Sequence, residues 1–176
     1  MSVHTLFLRV DQVERRLCLF ANAAARQQGV RTLFQTVSRL GDGVFWYALM
    51  AILPIAFGID GLLTAAQMLA AGLVGLALYK VLKQTLVRER PFIGLLGIEC
   101  TMPPLDRYSF PSGHTLHAVL FTSIAVAHFP ALGLILVPFA LLVAASRVIL
   151  GLHYPTDVVA GAALGGLLAM ASEYLR

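Results

Sequence analysis

Charged and apolar positions are segregated along the chain. From Val44 to Tyr79 the only charge is Asp60, from Thr115 to Ala145 there is no Asp, Glu, Lys or Arg, and a further uncharged run leads from Asp157 to Glu173. A bilayer core of about 30 Å takes roughly 20 helical residues to cross, so the breakers within these runs predict five spans. They are Val44–Ile59 and Gly61–Tyr79, reversed at Asp60-Gly61; Gly113–Phe129 and Ala131–Ile149, divided at His128-Phe129-Pro130; and about Pro155–Tyr174, opened by a first-turn proline. The expected fold class is all-α, a polytopic helical membrane protein. With no internal repeat, low-complexity tract or linker, it reads as one domain over 1–176, with an interfacial segment at 1–43 and a transmembrane core at 44–176.

The N-terminal segment differs in kind. Its longest uncharged stretch, Leu17 to Ala25, is too short to cross, while Val10, Val13, Leu17 and Phe20 or Ala21 recur at helical spacing. This predicts an amphipathic helix in the interface, its arginines toward lipid headgroups. A charged n-region, apolar h-region and cleavage site in that order are missing, so a signal peptide is not expected. In the last span, Gly161 and Gly165 make a small-xxx-small face that suits packing within the chain better than a dimer seam. Cys18 and Cys100 form no spacing motif, and no disulfide is expected between them.

Composition agrees. Of 176 residues, 59% are hydrophobic and 12% charged, and mean hydropathy is +0.81. Soluble domains average roughly 45–50% apolar and about 25% charged, which excludes a soluble globule or a disordered chain. The net charge of +4 raises nucleic acid as a partner, but no basic stripe interleaved with aromatics supports it.

Five crossings place the N-terminal segment, residues 80–113 and residues 150–154 on one membrane face. Three polar clusters meet there. Lys83 and Arg90 flank a short basic segment ending in Pro91; one cation is a point charge and the other a planar fork for phosphate oxygens. The plainer alternative is a juxtamembrane basic patch for anionic headgroups. Pro111-Ser112-Gly113-His114 opens the third span, offering unpaired N–H groups, a hydroxyl, the positive end of the helix dipole and an imidazole. His117 follows three residues later, without a suitably spaced third ligand for a metal, and reads either as a helix-packing residue or as a support behind the residues of the site. Finally Ser146-Arg147 precedes His153-Tyr-Pro-Thr-Asp157, where a carboxylate four residues on can orient the imidazole and leave its other nitrogen as a nucleophile. The alternative, in which Thr156 or Asp157 merely caps the fifth span, leaves Arg147 and His153 unexplained. The inventory fits phosphoryl transfer without a metal, since no acidic pair suited to Mg²⁺ stands beside the phosphate donors.

In order, Lys83 with six residues to Arg90-Pro91, Pro111-Ser112-Gly113-His114, and Ser146-Arg147 with five residues to His153 and three more to Asp157 resemble the tripartite signature of the type 2 phosphatidic acid phosphatase (PAP2) superfamily. Leu40-Gly41-Asp42 is also similar to the start of the first span in small bacterial members. The resemblance implies a phosphatase that needs neither metal nor cofactor and forms a phosphohistidine. It implies His153 as nucleophile, Asp157 as its orienting partner and His114 as the acid that protonates the leaving oxygen and then activates water. Lys83, Arg90, Ser112, Gly113 and Arg147 would hold the phosphoryl oxygens. The superfamily also contains vanadium haloperoxidases, mainly soluble and longer; five spans favour a lipid substrate held in the bilayer.

Undecaprenyl pyrophosphate is the first expectation, with phosphatidylglycerophosphate, phosphatidic acid and lipid A phosphates as alternatives, because the motifs read only the phosphate. An anion transporter or lipid-binding scaffold is the competing class, but repeated halves and interrupted midplane helices are not visible. For sidedness two arguments collide. The motif face carries twelve Lys/Arg against seven Asp/Glu, the other face Arg176 against Asp60 and Glu173. The positive-inside rule therefore points to the cytoplasm. Similar bacterial lipid phosphatases face the periplasm from the inner membrane, and phosphate binding accounts for several of the cations. The expectation is a periplasmic site.

Overall fold

The computed structural model describes residues 3–104 and 106–175, with side chains from residue 12 onward. Among them all regular structure is helical. Helix α1 spans Val3–Ala24 and α2 Gln28–Arg39; a π-helical turn, Leu40–Val44, leads into α3, Phe45–Thr85. A short α4, Pro91–Gly94, lies in the polar connection, and α5 (Gly113–His128), α6 (Gly133–Ile149) and α7 (Pro155–Tyr174) complete the chain. Gln28–Thr85, Pro130–Ile149 and Pro155–Tyr174 are long and apolar enough to cross a membrane. The first is folded in two, and α5 adds the remaining pass.

The fold in α3 falls at Gly58 (φ 60°, ψ −134°), two residues before the expected Asp60-Gly61 turn. Gly58 supplies the positive φ that other residues resist. Gly61 serves a different end: a Cβ there would lie 2.0 Å from the Leu53 carbonyl oxygen, so it lets the two arms meet. A second positive φ, 139° at Gly43, bends the chain inside the π turn that precedes the first span.

Helix α5 is the hub. Leu116, Ala118, Leu120, Phe121, Ile124 and Ala125 are all buried, walled by α3, α6 and α7. Trp46 from the first arm of α3 and Gly72 from the second both rest on Phe121, which makes the arms antiparallel neighbours. Helix α7 lies on α5 through Gly161 and Gly165. A Cβ on them would come within 2.5 Å of the Ser112 oxygen and 2.3 Å of the Leu116 oxygen respectively. The small-residue face therefore serves packing within the chain.

The two ends of the bundle differ as the parity of five crossings requires. At one end Phe57 stacks on Phe129, and Gln67 donates to Glu173 beside His128; Arg176, expected there, lies outside the described residues. At the other, α1 docks across the polar loops. Its apolar stripe, Val13, Leu17 and Phe20, is exposed and free to enter lipid, with the side chains of Arg9, Val10 and Asp11 outside those described. Its inward face is the unexpected part. Glu14, Cys18 and Asn22 are buried, and Asn22 clasps the backbone of Glu99 and the Ile149 oxygen.

Candidate active site

Ser112 sits at the N-cap of α5, its hydroxyl accepting from Thr115 N at 3.5 Å and pairing with Thr115 Oγ1 at 2.9 Å. Its own N–H donates to the Asp157 carbonyl at 3.0 Å, which joins the first turn of α7 to that of α5. This junction, made possible by Gly161, brings the second and third sequence clusters together. Gly113 follows against the Tyr79 ring, where a Cβ would approach to 2.7 Å.

The turn at 150–154 presents His153. The N–H groups of Leu152 and His153 both donate to the Arg147 carbonyl at 3.0 Å, and Gly151 (φ 76°) passes so close to the Glu99 carbonyl that a Cβ would stand 2.7 Å from it. His153 is buried, with Nδ1 3.6 Å from Asp157 Oδ2 and Nε2 3.3 Å from Arg90 Nη1. The same Oδ2 accepts from Tyr154 N at 2.8 Å. Capping and facing the imidazole, alternatives in the sequence, are thus combined in one carboxylate. Burial, then the charges of Arg147, Arg90 and Lys83, hold His153 well below its ordinary pKa, so its imidazole is neutral.

The cations are buried too. Arg90, 1% exposed, gives Nε to the Asp106 carbonyl at 3.0 Å, Nη1 to Leu152 O at 2.8 Å and Nη2 to Asp106 Oδ1 at 2.7 Å. Lys83 donates to the same carboxylate and to Tyr108 O, and Tyr79 adds its hydroxyl. Burial alone would raise the pKa of Asp106, but the bonds from Lys83 and Tyr79 and the charge of Arg90 hold it below the usual carboxylate value. Arg147 donates to Ser38 from α2, while its Nε and the Nε2 of His114 are buried without hydrogen-bond partners among the described residues. Asp42, in the π turn, stands 3.4 Å from His114 Nε2. His114 also lies within electrostatic reach of Arg147, His153 and Arg90.

Every residue singled out from the sequence, Lys83, Arg90, Ser112, Gly113, His114, Arg147, His153 and Asp157, therefore comes to one end of the bundle. His117 does not join them: its ring bridges the Gly113 and Gly72 carbonyls and ties α5 to α3. Beside His114 opens a cavity of about 300 Å³ between the arms of α3 and α5, with Asp42 and Tyr79 toward the polar end and Trp46, Met50 and Leu73 along its walls.

The family model of the PAP2 superfamily matches residues 61–175. The chain belongs to this superfamily. It is 28% identical to a lipid A 1-phosphatase of Rhizobium etli over 94% of its own length and 81% of that protein. Among solved structures it resembles a transmembrane PAP2 type phosphatidylglycerolphosphate phosphatase from Bacillus subtilis, at TM-score 0.74 and 30% identity, covering 95% of this chain and 86% of that one. It also resembles Aquifex aeolicus LpxE, at TM-score 0.79 and 26% identity, covering 90% and 93%. This PAP2 protein is a multi-pass bacterial membrane hydrolase acting on lipid phosphates.

Around the PAP2 motif residues stand others that reading the sequence missed. Asp106 gathers the two cations, Asp42 faces His114, and Ser38 holds Arg147. Arg88, read only as part of a basic segment, pairs with both Asp157 and Glu14. The available signal was the cost of burying several cations at one face, which demands carboxylates from elsewhere in the chain.

Proposed function

We propose that this protein removes a phosphate from a membrane lipid by attack of His153 Nε2 on phosphorus. The observation that carries this reading is the neutral, buried imidazole whose Nδ1 faces Asp157 while Nε2 faces Arg90, together with an apolar cavity that His114 lines. Lys83, Arg90, Arg147 and the Ser112-Gly113 helix start neutralise the phosphoryl oxygens as charge builds on them. As the P–O bond breaks, His114 gives its proton to the leaving oxygen, and a phosphohistidine forms. His114 then takes a proton from water as that water displaces phosphate from His153. The lipid tail lies in the cavity, whose outer wall includes the exposed Tyr47 and Leu73.

The first-choice substrate is undecaprenyl pyrophosphate, on the habit of small bacterial family members. Lipid A and phosphatidylglycerophosphate, the substrates in the names of the relatives, are the alternatives. Phosphate release from a panel of these lipids in detergent, with His153→Ala as the blank, ranks them. Activity retained in that variant would overturn the mechanism.

The same reading puts the site on the periplasmic face of the inner membrane. Of the basic residues that would argue for the cytoplasm, Lys83, Arg88 and Arg90 are tied up in ion pairs and Arg147 is buried in the site. Cys100, exposed in the loop above the site, reports the side directly. Labelling of intact cells by a membrane-impermeant maleimide supports the periplasm, and labelling only after lysis refutes it.

A further inference from the structure

The buried carboxylate of Asp157 has no exposure to water, and such a group is tolerated only when paired. One oxygen, Oδ2, serves Tyr154 N and faces His153. The other, Oδ1, receives Arg88 Nη1 at 2.7 Å. With one oxygen pinned, the carboxylate cannot turn about its own axis, and Oδ2 stays on the imidazole. Arg88 lies in the loop beyond α3 and is itself held on three sides. Nη2 meets Glu14 Oε2 at 2.7 Å, Nη1 also reaches Thr156 Oγ1 at 2.8 Å, and the guanidinium lies 3.9 Å above the Tyr154 ring. Glu14 comes from α1, and its second oxygen accepts from Thr156 N at 2.9 Å and Thr156 Oγ1 at 2.6 Å, in the first turn of α7.

We propose that Arg88 and Glu14 are positioning residues for His153: Arg88 fixes the Asp157 carboxylate against the imidazole, and Glu14, from the surface helix, fixes Arg88. The proposal rests on His153 as the nucleophile. A planar fork is needed because two carboxylates approach Arg88 through different nitrogens, which a lysine ammonium cannot serve with the same geometry. The chain runs from a helix docked on the outside of the bundle through two charge-assisted hydrogen bonds of 2.7 Å, Glu14 to Arg88 and Arg88 to Asp157, and ends in the 3.6 Å approach of Asp157 Oδ2 to His153 Nδ1. The side chains of Arg88 and Glu14 touch none of the groups assigned to the phosphate, so their effect falls on the chemical step and spares substrate binding.

The test compares Arg88→Gln, Arg88→Lys and Glu14→Gln in the full-length protein, each checked for a single folded species by size exclusion, using radiolabelled lipid pyrophosphate. Partners that orient a metal-bound histidine cost about 10- to 100-fold when removed, and a partner of a nucleophilic imidazole is expected to cost the same order. The expected result is a fall of that size in kcat for both Arg88 variants, a smaller one for Glu14→Gln, KM within about 2-fold, and slower formation of the labelled enzyme. In an Asp157→Asn background, Arg88→Gln should cost little further, since the ion pair through which it acts on His153 is gone. Wild-type kcat in Arg88→Gln, or an undiminished loss in the Asp157→Asn background, overturns the proposal. If Arg88→Gln does not fold, Arg88→Lys and Glu14→Gln decide by the same kcat and KM comparison. Turnover in His153→Ala would instead remove the nucleophile assignment, a failure visible without any Arg88 variant.

Discussion

Asp106 bonds Lys83 and Arg90 through a single oxygen, so two cations from one sequence motif converge on a carboxylate that lies outside it. Because the pKa of Asp106 is lowered in the fold, its contribution to stability is complete above the ordinary carboxylate value, about pH 4, and is lost as pH falls through the lowered value. The melting temperature of Asp106→Asn in detergent should therefore sit below wild type by a constant margin from pH 8 to pH 5. The margin should shrink only in more acid solution. A margin that disappears near neutrality would mean that the cluster contributes nothing as an ion pair.

His153 is neutral in the fold, so in the proposed mechanism its imidazole stays available for attack down to pH values where a free histidine is protonated. Its lowered pKa costs stability instead: the unfolded chain takes up the proton as pH falls below about 6.5, and the folded chain does not. Single-turnover labelling should persist from pH 7.5 to pH 6 while the melting temperature declines. Labelling that dies with a midpoint near 6.5 would contradict this.

Arg90 donates from all three nitrogens, two of them to Asp106 and one to the Leu152 oxygen, and Arg147 sits 2% exposed with its Nε unpartnered among the described residues. Arg→Lys at either should lower kcat by about 10²–10³, the usual cost of a strong transition-state donor, as measured by phosphate release. With charge neutralisation assigned to these side chains, activity should survive EDTA and fall with vanadate. Strict dependence on added Mg²⁺ would show that the assignment is wrong.

Gly165→Ala drives a methyl toward the Leu116 oxygen and should destabilise by about 1–3 kcal/mol, as overpacking does. Gly166→Ala, one residue along, meets nothing within 4 Å and should be neutral or stabilising by less than about 1 kcal/mol. Thermal unfolding in detergent separates the pair. Equal effects would mean that α7 does not rest on α5 through this face.

Cys18 is buried, and burial followed by the charges of Glu14 and Asp157 pushes its thiol up to about 12. Cys100 is exposed. Maleimide should modify Cys100 in the folded protein and reach Cys18 only after denaturation, as counted by intact mass.

The limits of α5 and α7 were legible because hydrocarbon thickness and prolines leave little freedom: α7 begins at Pro155 and ends at Tyr174, as the breakers require, and α5 begins at Gly113, whereas α3, expected to end at Tyr79, runs on to Thr85 and carries Lys83 in its last turn. The reversal was misplaced because Asp60-Gly61 carries the stronger turn chemistry, whereas the chain turns at Gly58 and uses Gly61 for close packing. The motif residues were legible because their spacing within each cluster is local. Glu14 and Arg88 were not. Periodicity picked out Val13, Leu17 and Phe20, which face outward, while the polar ridge of Glu14 and Asn22 gains its meaning from partners 74 to 142 residues away.

The contact between Glu14 and Thr156 joins segments 142 residues apart, which sets an order of events during synthesis. Helix α1 is made before the segments it binds, and the last partner of its buried carboxylate, Thr156, arrives only when α7 has been made. Until then Arg88 can meet Glu14 but lacks Asp157, which α7 brings. A nascent chain halted after α6 therefore lacks both His153 and Asp157, and the polar network beneath α1 closes only when α7 joins it.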